Sequence, residues 1–505
     1  NYAQTFNDKH EVSGMLIMLM SNYQSGNAGS VQASLEERNL GVSGRFTYAY
    51  DKRFLTEFNF GYNGTEKFAA NHRYGFFPSI GLGYTISNEK WFEPLTHVIS
   101  NLKLRATFGL IGNDKIGKTE DRFFYLSEVN LNDGNFGATF GDAFPYYSKN
   151  GVSISRYANY NITWEKSQQI NLGMDLQLFN ALDFVVDAYK QHRTNILQDR
   201  SFIGSTMGIT TIPQSNYGEV ESKGIDVTIQ YNKSFGSGMY AQLRGNFTYA
   251  ANEILKYDEV TYPANEAYRY HKGNSIDQKY GYIAERLFVD DTEVANSPAQ
   301  FGDYRGGDIK YRDMNGDGVI TAADQVPIGF PTTPEIVYGF GGTWGFKNFD
   351  VSAYFQGVAR TSIFIDPTKV SPFVLNQAPF SDNSKKTGTQ SGLLNVIAQD
   401  HWSEDNRDLY AFWPRLSDYF IANNDVNSTW WMRNGAFLRL KSVELGYNAP
   451  ERITNKLGMS SLRLYVSARN LFAISSFKLW DPEMGGKGLG YPVQSVYDMG
   501  ITLSF

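Results

Sequence analysis

The chain has 505 residues, a net charge of −6 and no cysteine. Its length exceeds a usual single-core domain, its charge gives no basis for nucleic acid binding, and disulfides and cysteine metal sites are excluded. Tyr (33), Phe (36) and Gly (48) are abundant while charged residues are only 19%, a mixture that suits β-strands, aromatic girdles and tight turns. No run approaches about 18 apolar residues, so a membrane helix is excluded. The greasiest stretch, Met15 to Met20, has the length of a strand. Mean hydropathy of −0.39 resembles that of a soluble protein, but a membrane barrel hides from hydropathy because half of each strand is polar. The sequence opens at Asn1 inside what reads as an element, and it is expected to be part of a longer protein with any targeting segment upstream.

Period-2 alternation recurs from one end to the other. Strands are predicted near 1–6, 10–22, 37–51, 53–65, 76–87, 98–112, 163–179, 181–195, 218–232, 239–253, 335–346, 349–360, 435–448, 461–472 and 495–505. Leu102, Leu104, Ala106 and Phe108 oppose Lys103, Arg105 and Thr107. Ile170, Leu172, Met174 and Leu176 oppose Asn171, Asp175 and Gln177. Leu462, Leu464 and Val466 oppose Arg463, Tyr465 and Arg469. The chain ends on Tyr497, Met499, Ile501, Leu503 and Phe505, with polar residues or Gly between them. One strand breaks phase: Leu438 and Leu440 share a face, then Val443, Leu445 and Tyr447 take the other parity. A β-bulge near Lys441–Ser442 is predicted there. Most of these segments run about nine residues or more, enough for a tilted strand to cross a bilayer.

The connections alternate in length. Short ones fall at Asn7-Asp8-Lys9, Asp51-Lys52, Phe179-Asn180, Ser234 to Gly238 and Lys347-Asn348. Long ones fall at 113–162, 254–334 and 361–434. Short turns on one side and long loops on the other are the pattern of an outer-membrane β-barrel, with the long loops extracellular. The fold class read from this is all-β, a transmembrane antiparallel barrel in the bacterial outer membrane. The first and last strands then run in the same direction. A closed barrel therefore needs an odd number of further strands upstream.

The sharpest motif lies in the 254–334 loop. Residues 313–324 place Asp313, Asn315, Asp317, the Val319 carbonyl and Asp324 at the ligand positions of an EF-hand loop, with Gly316 at the tight turn. Asp324 stands where a bidentate Glu is usual, a departure also found in dockerin-like loops. Structural Ca²⁺ is expected there, with Asp308 as a further donor; the alternative is a plain Asp/Gly-rich turn. Aromatic residues crowd the long loops, among them Trp402, Tyr410, Trp413, Tyr419, Trp430 and Trp431. Trp402, Tyr410 and Trp413 are the candidate substrate contacts, with loop packing as the alternative. None of the six His forms a metal-binding pair, and no GxSxG or P-loop occurs, so no catalytic residue is assigned.

Arg73-Tyr74-Gly75-Phe76-Phe77-Pro78, Gly112-Asn113-Asp114, Gly307-Asp308-Ile309-Lys310-Tyr311, Phe437-Leu438-Arg439-Leu440-Lys441, Arg469-Asn470-Leu471-Phe472 and Asp481-Pro482-Glu483 occur in that order, with a terminal Phe505. Together they make the chain resemble the C-terminal part of SusC/RagA-type TonB-dependent transporters. The resemblance runs through 1–505. It implies a barrel of about 22 strands whose plug lies outside this chain, a SusD-like lipoprotein lid, and energy from the TonB complex through a segment that is also absent. It further implies active import of a nutrient oligomer, an oligosaccharide or, as in the RagA branch, a peptide. A passive porin or adhesin barrel and a secreted all-β glycan hydrolase are the rival classes.

Overall fold

The computed structural model describes residues 1–27, 34–117, 123–141, 147–373, 393–417, 421–486, 488 and 490–505. One antiparallel sheet of 16 strands dominates it. Fifteen follow one another as neighbours: Tyr2–Phe6, His10–Tyr23, Glu37–Tyr50, Phe54–Thr65, Tyr74–Thr85, Ile99–Asn113, Glu165–Leu178, Leu182–Asp199, Gln214–Phe235, Met239–Lys256, Ile336–Phe346, Phe349–Ala359, Phe437–Asn448, Ser461–Arg469 and Val496–Ser504. Each predicted strand is present. The sixteenth, Ala473–Ser475, pairs with the Phe437 strand. It lies just beyond the predicted 461–472 strand, which ends earlier, at Arg469, where Asn470 turns the chain with a φ of 54°.

The short turns explain the register. Asn7 and Asp8, Asp51 and Lys52, and Phe179 and Asn180 all have positive φ, the geometry whose twist matches a two-residue hairpin. Tyr497, Met499, Ile501 and Leu503 sit opposite Ala468, Val466, Leu464 and Leu462. Tyr497, Met499, Ile501, Leu503, Leu464 and Val466 are exposed on one apolar face, as a lipid-facing surface requires. The phase break is a bulge: Tyr354 pairs with Ser442 and Phe355 with Leu440, so Lys441 is the extra residue. The Lys441 carbonyl accepts the Asn470 N–H at 3.1 Å. The bulge and the Asn470 turn thus lie side by side, and Leu438 keeps the face of Leu445.

The chain divides into two units. The first comprises 1–226, 251–261 and 271–273. Its strands place charge on the face opposite the apolar one: the Arg105 guanidinium meets Asp175 at 2.8 Å and Asp187 at 3.0 Å. The cross-strand neighbour between them is Gly173, where a Cβ would stand 2.8 Å from Arg105 Cζ, so a glycine is needed for the guanidinium to reach both carboxylates. The predicted 113–162 loop is partly ordered as a hairpin, Glu128–Phe140 with Tyr147–Arg156.

The second unit comprises 227–250, 262–270 and 274–505. On the corresponding face of its strands, Arg463 joins Asp350 and Glu444, each at 2.7 Å. Ala284–Leu287 pairs with Ile309–Tyr311, Lys279–Gly281 with Val326–Ile328, and Ser362–Phe364 with Met432–Asn434. No helix among the described residues is long and apolar enough to cross a membrane.

Candidate functional site

Segments 274–334 and 361–434 share one hydrophobic core. Trp431, Tyr311, Leu287, Ile309 and Ile397 are its most enclosed members. Backbone bonds stitch the segments together: Leu287 N–H to Leu409 carbonyl, Tyr282 N–H to Asn427 carbonyl, both 2.9 Å, and Arg415 N–H to Gly307 carbonyl at 3.0 Å. Burying one large aromatic side chain in such a core is worth about 1.5–3 kcal/mol, so the loops hold a defined shape.

A buried polar network runs through this core. Asp308 is completely enclosed. It accepts the Arg415 Nε at 3.0 Å, the Asn424 Nδ2 at 2.8 Å and the Arg305 backbone N–H at 2.9 Å. Burial pushes the Asp308 carboxyl up from its ordinary range, against the pull of the Arg415 guanidinium and of its hydrogen bonds. Gln300 bridges Asn423 and Tyr311. The suggested role of Asp308 in cation binding is therefore corrected: its oxygens are committed to Arg415 and Asn424 inside the core.

Trp402 and Trp413 lie in this core, 7% and 6% exposed. Trp413 packs on Trp431 with ring centroids 5.0 Å apart. Trp402 covers Gly307, which has a φ of 85° and where a Cβ would fall 2.3 Å from the indole. Both indoles are largely occupied by packing. Trp430 and Trp431 are packed here too, with the Trp431 Nε1 donating to the Asn424 carbonyl at 2.8 Å. Tyr410 is 72% exposed and open to solvent. Tyr419 lies outside the described residues.

The 313–324 loop closes on itself. Asp313 accepts the N–H groups of Gly316 at 2.7 Å and Gly318 at 2.8 Å, and Asp317 accepts that of Val319 at 2.9 Å. Burial acts to raise the Asp313 carboxyl, but the N–H groups of Gly318, Gly316, Asp317 and Asn315 outweigh it and hold it below the usual range. Asp324 is buried and faces inward, accepting the N–H groups of Met314 and Thr321 at 2.8 Å each. Among the described residues, no three His, Asp or Glu side chains converge at metal-binding separation. Asp313, Asn315 and Asp317 suit a hard cation by donor chemistry, whereas Asp324 braces the loop through its backbone.

A cavity of about 690 Å³ lies beside the loop core, lined among others by Asp366, Thr368, Asp425, Lys279, Phe437 and Glu483. Thr368 donates its hydroxyl to Asp425 at 2.6 Å. Burial raises the Asp425 carboxyl despite that bond, and the charge of Asp366 raises it further. One wall is fixed by Arg439, whose buried guanidinium holds Asp481 at 2.6 Å and Glu483 at 2.7 Å. Reading the sequence missed Asp366 and Asp425. The one available signal was Asp366 before Pro367, a helix-start pair, and Asp366 does cap the short turn there.

The family model for the β-barrel of TonB dependent receptor-like proteins matches residues 5–471. The chain belongs to the TonB-dependent receptor family. TonB-dependent receptor SusC of Bacteroides thetaiotaomicron is 27% identical over 94% of this chain and 44% of its own length. TonB-dependent receptor P3 of Formosa agariphila is 27% identical over 95% of this chain and 47% of its own. The chain thus spans about half the length of these relatives. A solved structure of the RagAB peptide transporter covers the whole chain with a TM-score of 0.71 at 21% identity, a likeness of fold. The chain is thus the β-barrel portion of a TonB-dependent receptor of the outer membrane, similar in sequence to SusC and in fold to the RagAB transporter.

Proposed function

We propose that the full-length protein actively imports an oligosaccharide across the outer membrane. The observation that carries this reading is the 690 Å³ cavity beside the folded loops. Its Asp366, Thr368, Asp425 and Asn427 mix acceptors and donors, and Phe364 and Phe437 add aromatic surface, a combination suited to polyhydroxyl ligands. Tyr410 supplies a further exposed aromatic. A SusD-like lipoprotein would cover the extracellular loops. The TonB complex would supply energy through the part of the protein outside this chain. The barrel wall seals the bilayer and does no chemistry.

A peptide importer is the second reading. It is favoured by the acidic balance of the same cavity, with three carboxylates against Lys279, and by the fold shared with a peptide transporter. Calorimetric titration of the full-length protein with its lipoprotein partner, against glycan and peptide panels, separates the two. Oligosaccharide binding that weakens in Asp425→Ala supports the first reading. Binding of peptides alone would replace it with the second.

For the 313–324 loop we propose a structural Ca²⁺ held by Asp313, Asn315, Asp317 and the Val319 carbonyl. Asp324 already accepts the N–H groups of Met314 and Thr321 and serves as their brace. The ion would stiffen the loop and take no part in transport.

A further inference from the structure

The apolar face of the second unit is not evenly filled. Where Met239–Lys256, Ile336–Phe346 and Phe349–Ala359 run side by side, a groove of about 510 Å³ opens, lined by Ile229, Leu243, Phe340, Trp344, Val351 and Phe355. Its floor is small. Gly342 lies between Leu243 and Ala353, and Gly245 opposes Phe340. A Cβ built on Gly245 would make only ordinary van der Waals contacts, the nearest at 3.8 Å, whereas one built on Gly342 would fall 2.6 Å from the Leu243 side chain, so the depression lies over Gly245. One wall is rigid, because Phe340 and Phe355 stack at 5.2 Å with their planes 17° apart.

The groove has a direction. It runs from Phe340 toward the Lys347–Asn348 turn, which joins paired Phe346 and Phe349. Six residues of strand span about 20 Å. A tilt of about 40° makes that about 15 Å of depth, one leaflet of a hydrocarbon core about 30 Å thick. Short turns mark the periplasmic side. At that end stands a cation: the Lys347 ammonium lies 5.1 Å from the Phe346 ring centroid on the apolar face. Lys347 has no ion-pair partner among the described residues. Lys233 shares the face of Ile229 by strand alternation and stands at the adjoining Ser234 to Gly238 turn.

We propose that this groove is a binding site for one anionic phospholipid of the periplasmic leaflet. An acyl chain lies over Gly245, beside Leu243 and Phe340, and the headgroup phosphate pairs with Lys347 and Lys233. The occupant is a lipid and not a protein because the groove opens on the face that the barrel turns to the bilayer. Charge complementarity at the mouth selects an acidic headgroup. The site is independent of the imported ligand.

The test is native mass spectrometry of the full-length transporter, delipidated by detergent exchange and then offered dioleoyl phosphatidylglycerol or dioleoyl phosphatidylcholine. The wild type should retain phosphatidylglycerol several-fold better than phosphatidylcholine. Gly245→Phe fills the floor and should reduce phosphatidylglycerol retention to the phosphatidylcholine level, with folding checked by heat-modifiable gel migration. Trp344→Ala, which removes a wall without adding bulk, should weaken retention if Gly245→Phe does not fold. Lys347→Asn keeps the left-handed turn and should abolish the headgroup preference. Wild-type retention of both lipids alike, or unchanged phosphatidylglycerol retention in the folded groove variants, would overturn the assignment.

Discussion

Asp308 and Arg415 form the buried ion pair on which the loop core depends. Removing one partner leaves an uncompensated charge in a dry setting, which costs about 3–5 kcal/mol. Arg415→Ala should lower the opening free energy of the loop core by that amount, read by hydrogen exchange at the amides of 305–311 and 421–424. The strands of the 16-stranded sheet should keep their protection. In the 313–324 loop the acidic residues have separable roles. The double variant Asp313→Ala, Asp317→Ala should lose bound Ca²⁺ while Asp324→Ala should loosen the loop with or without the ion. Metal analysis and proteolysis of that loop check both. Unchanged metal content in the double variant would remove the calcium proposal. The sequence showed these carboxylates but not their orientations. Asp324 fits a ligand position by spacing, yet its side chain faces the Met314 and Thr321 amides.

The Ala284–Leu287 strand, paired with Ile309–Tyr311, runs into the short Asp291–Ala295 helix. Burial would raise the Glu293 carboxyl, but Arg286, the Val289 N–H and Lys310 outweigh it and hold it at about 2. Its folded value is therefore depressed below the unfolded one of about 4.3. The stabilisation is present above that unfolded value and is lost as pH falls toward 2. Exchange protection of 284–312 should fall across that window, and Glu293→Gln should flatten the dependence. Persistence of the full slope in that variant would assign it to another carboxylate. At this scale the strands were legible because alternation reports which face is wet, and even the Lys441 bulge showed as a change of parity. The loops were not. Trp402 and Trp413 have no periodic neighbours to mark them as core, and Arg439 finds Asp481 at a sequence separation of 42 with no local signal.

At the scale of the whole molecule the central physical claim is that one face of the 16-stranded sheet meets lipid and the other meets water. Leu464 and Thr502 test it, because they lie on neighbouring strands and opposite faces. Leu464→Arg should destabilise the folded barrel by up to about 2–4 kcal/mol, depending on its depth, whereas Thr502→Glu, a charge placed directly opposite Arg463 on the wet face, should be near neutral. Refolding titrations into lipid vesicles measure both. Specificity should stay with the loops, since the strand faces are committed to lipid, ion pairs and neighbouring strands.

Import itself is tested most directly by energised uptake. A strain lacking the full-length gene and its parent are given a panel of fluorescent oligosaccharides and peptides, with and without a protonophore. The expected result is that the deletion and the protonophore each abolish uptake of one oligosaccharide class, and that the intact gene restores it. Uptake of every oligosaccharide at the parental rate in the deletion strain, with peptide uptake lost, would contradict the oligosaccharide reading. Uptake indifferent to the protonophore would contradict active transport.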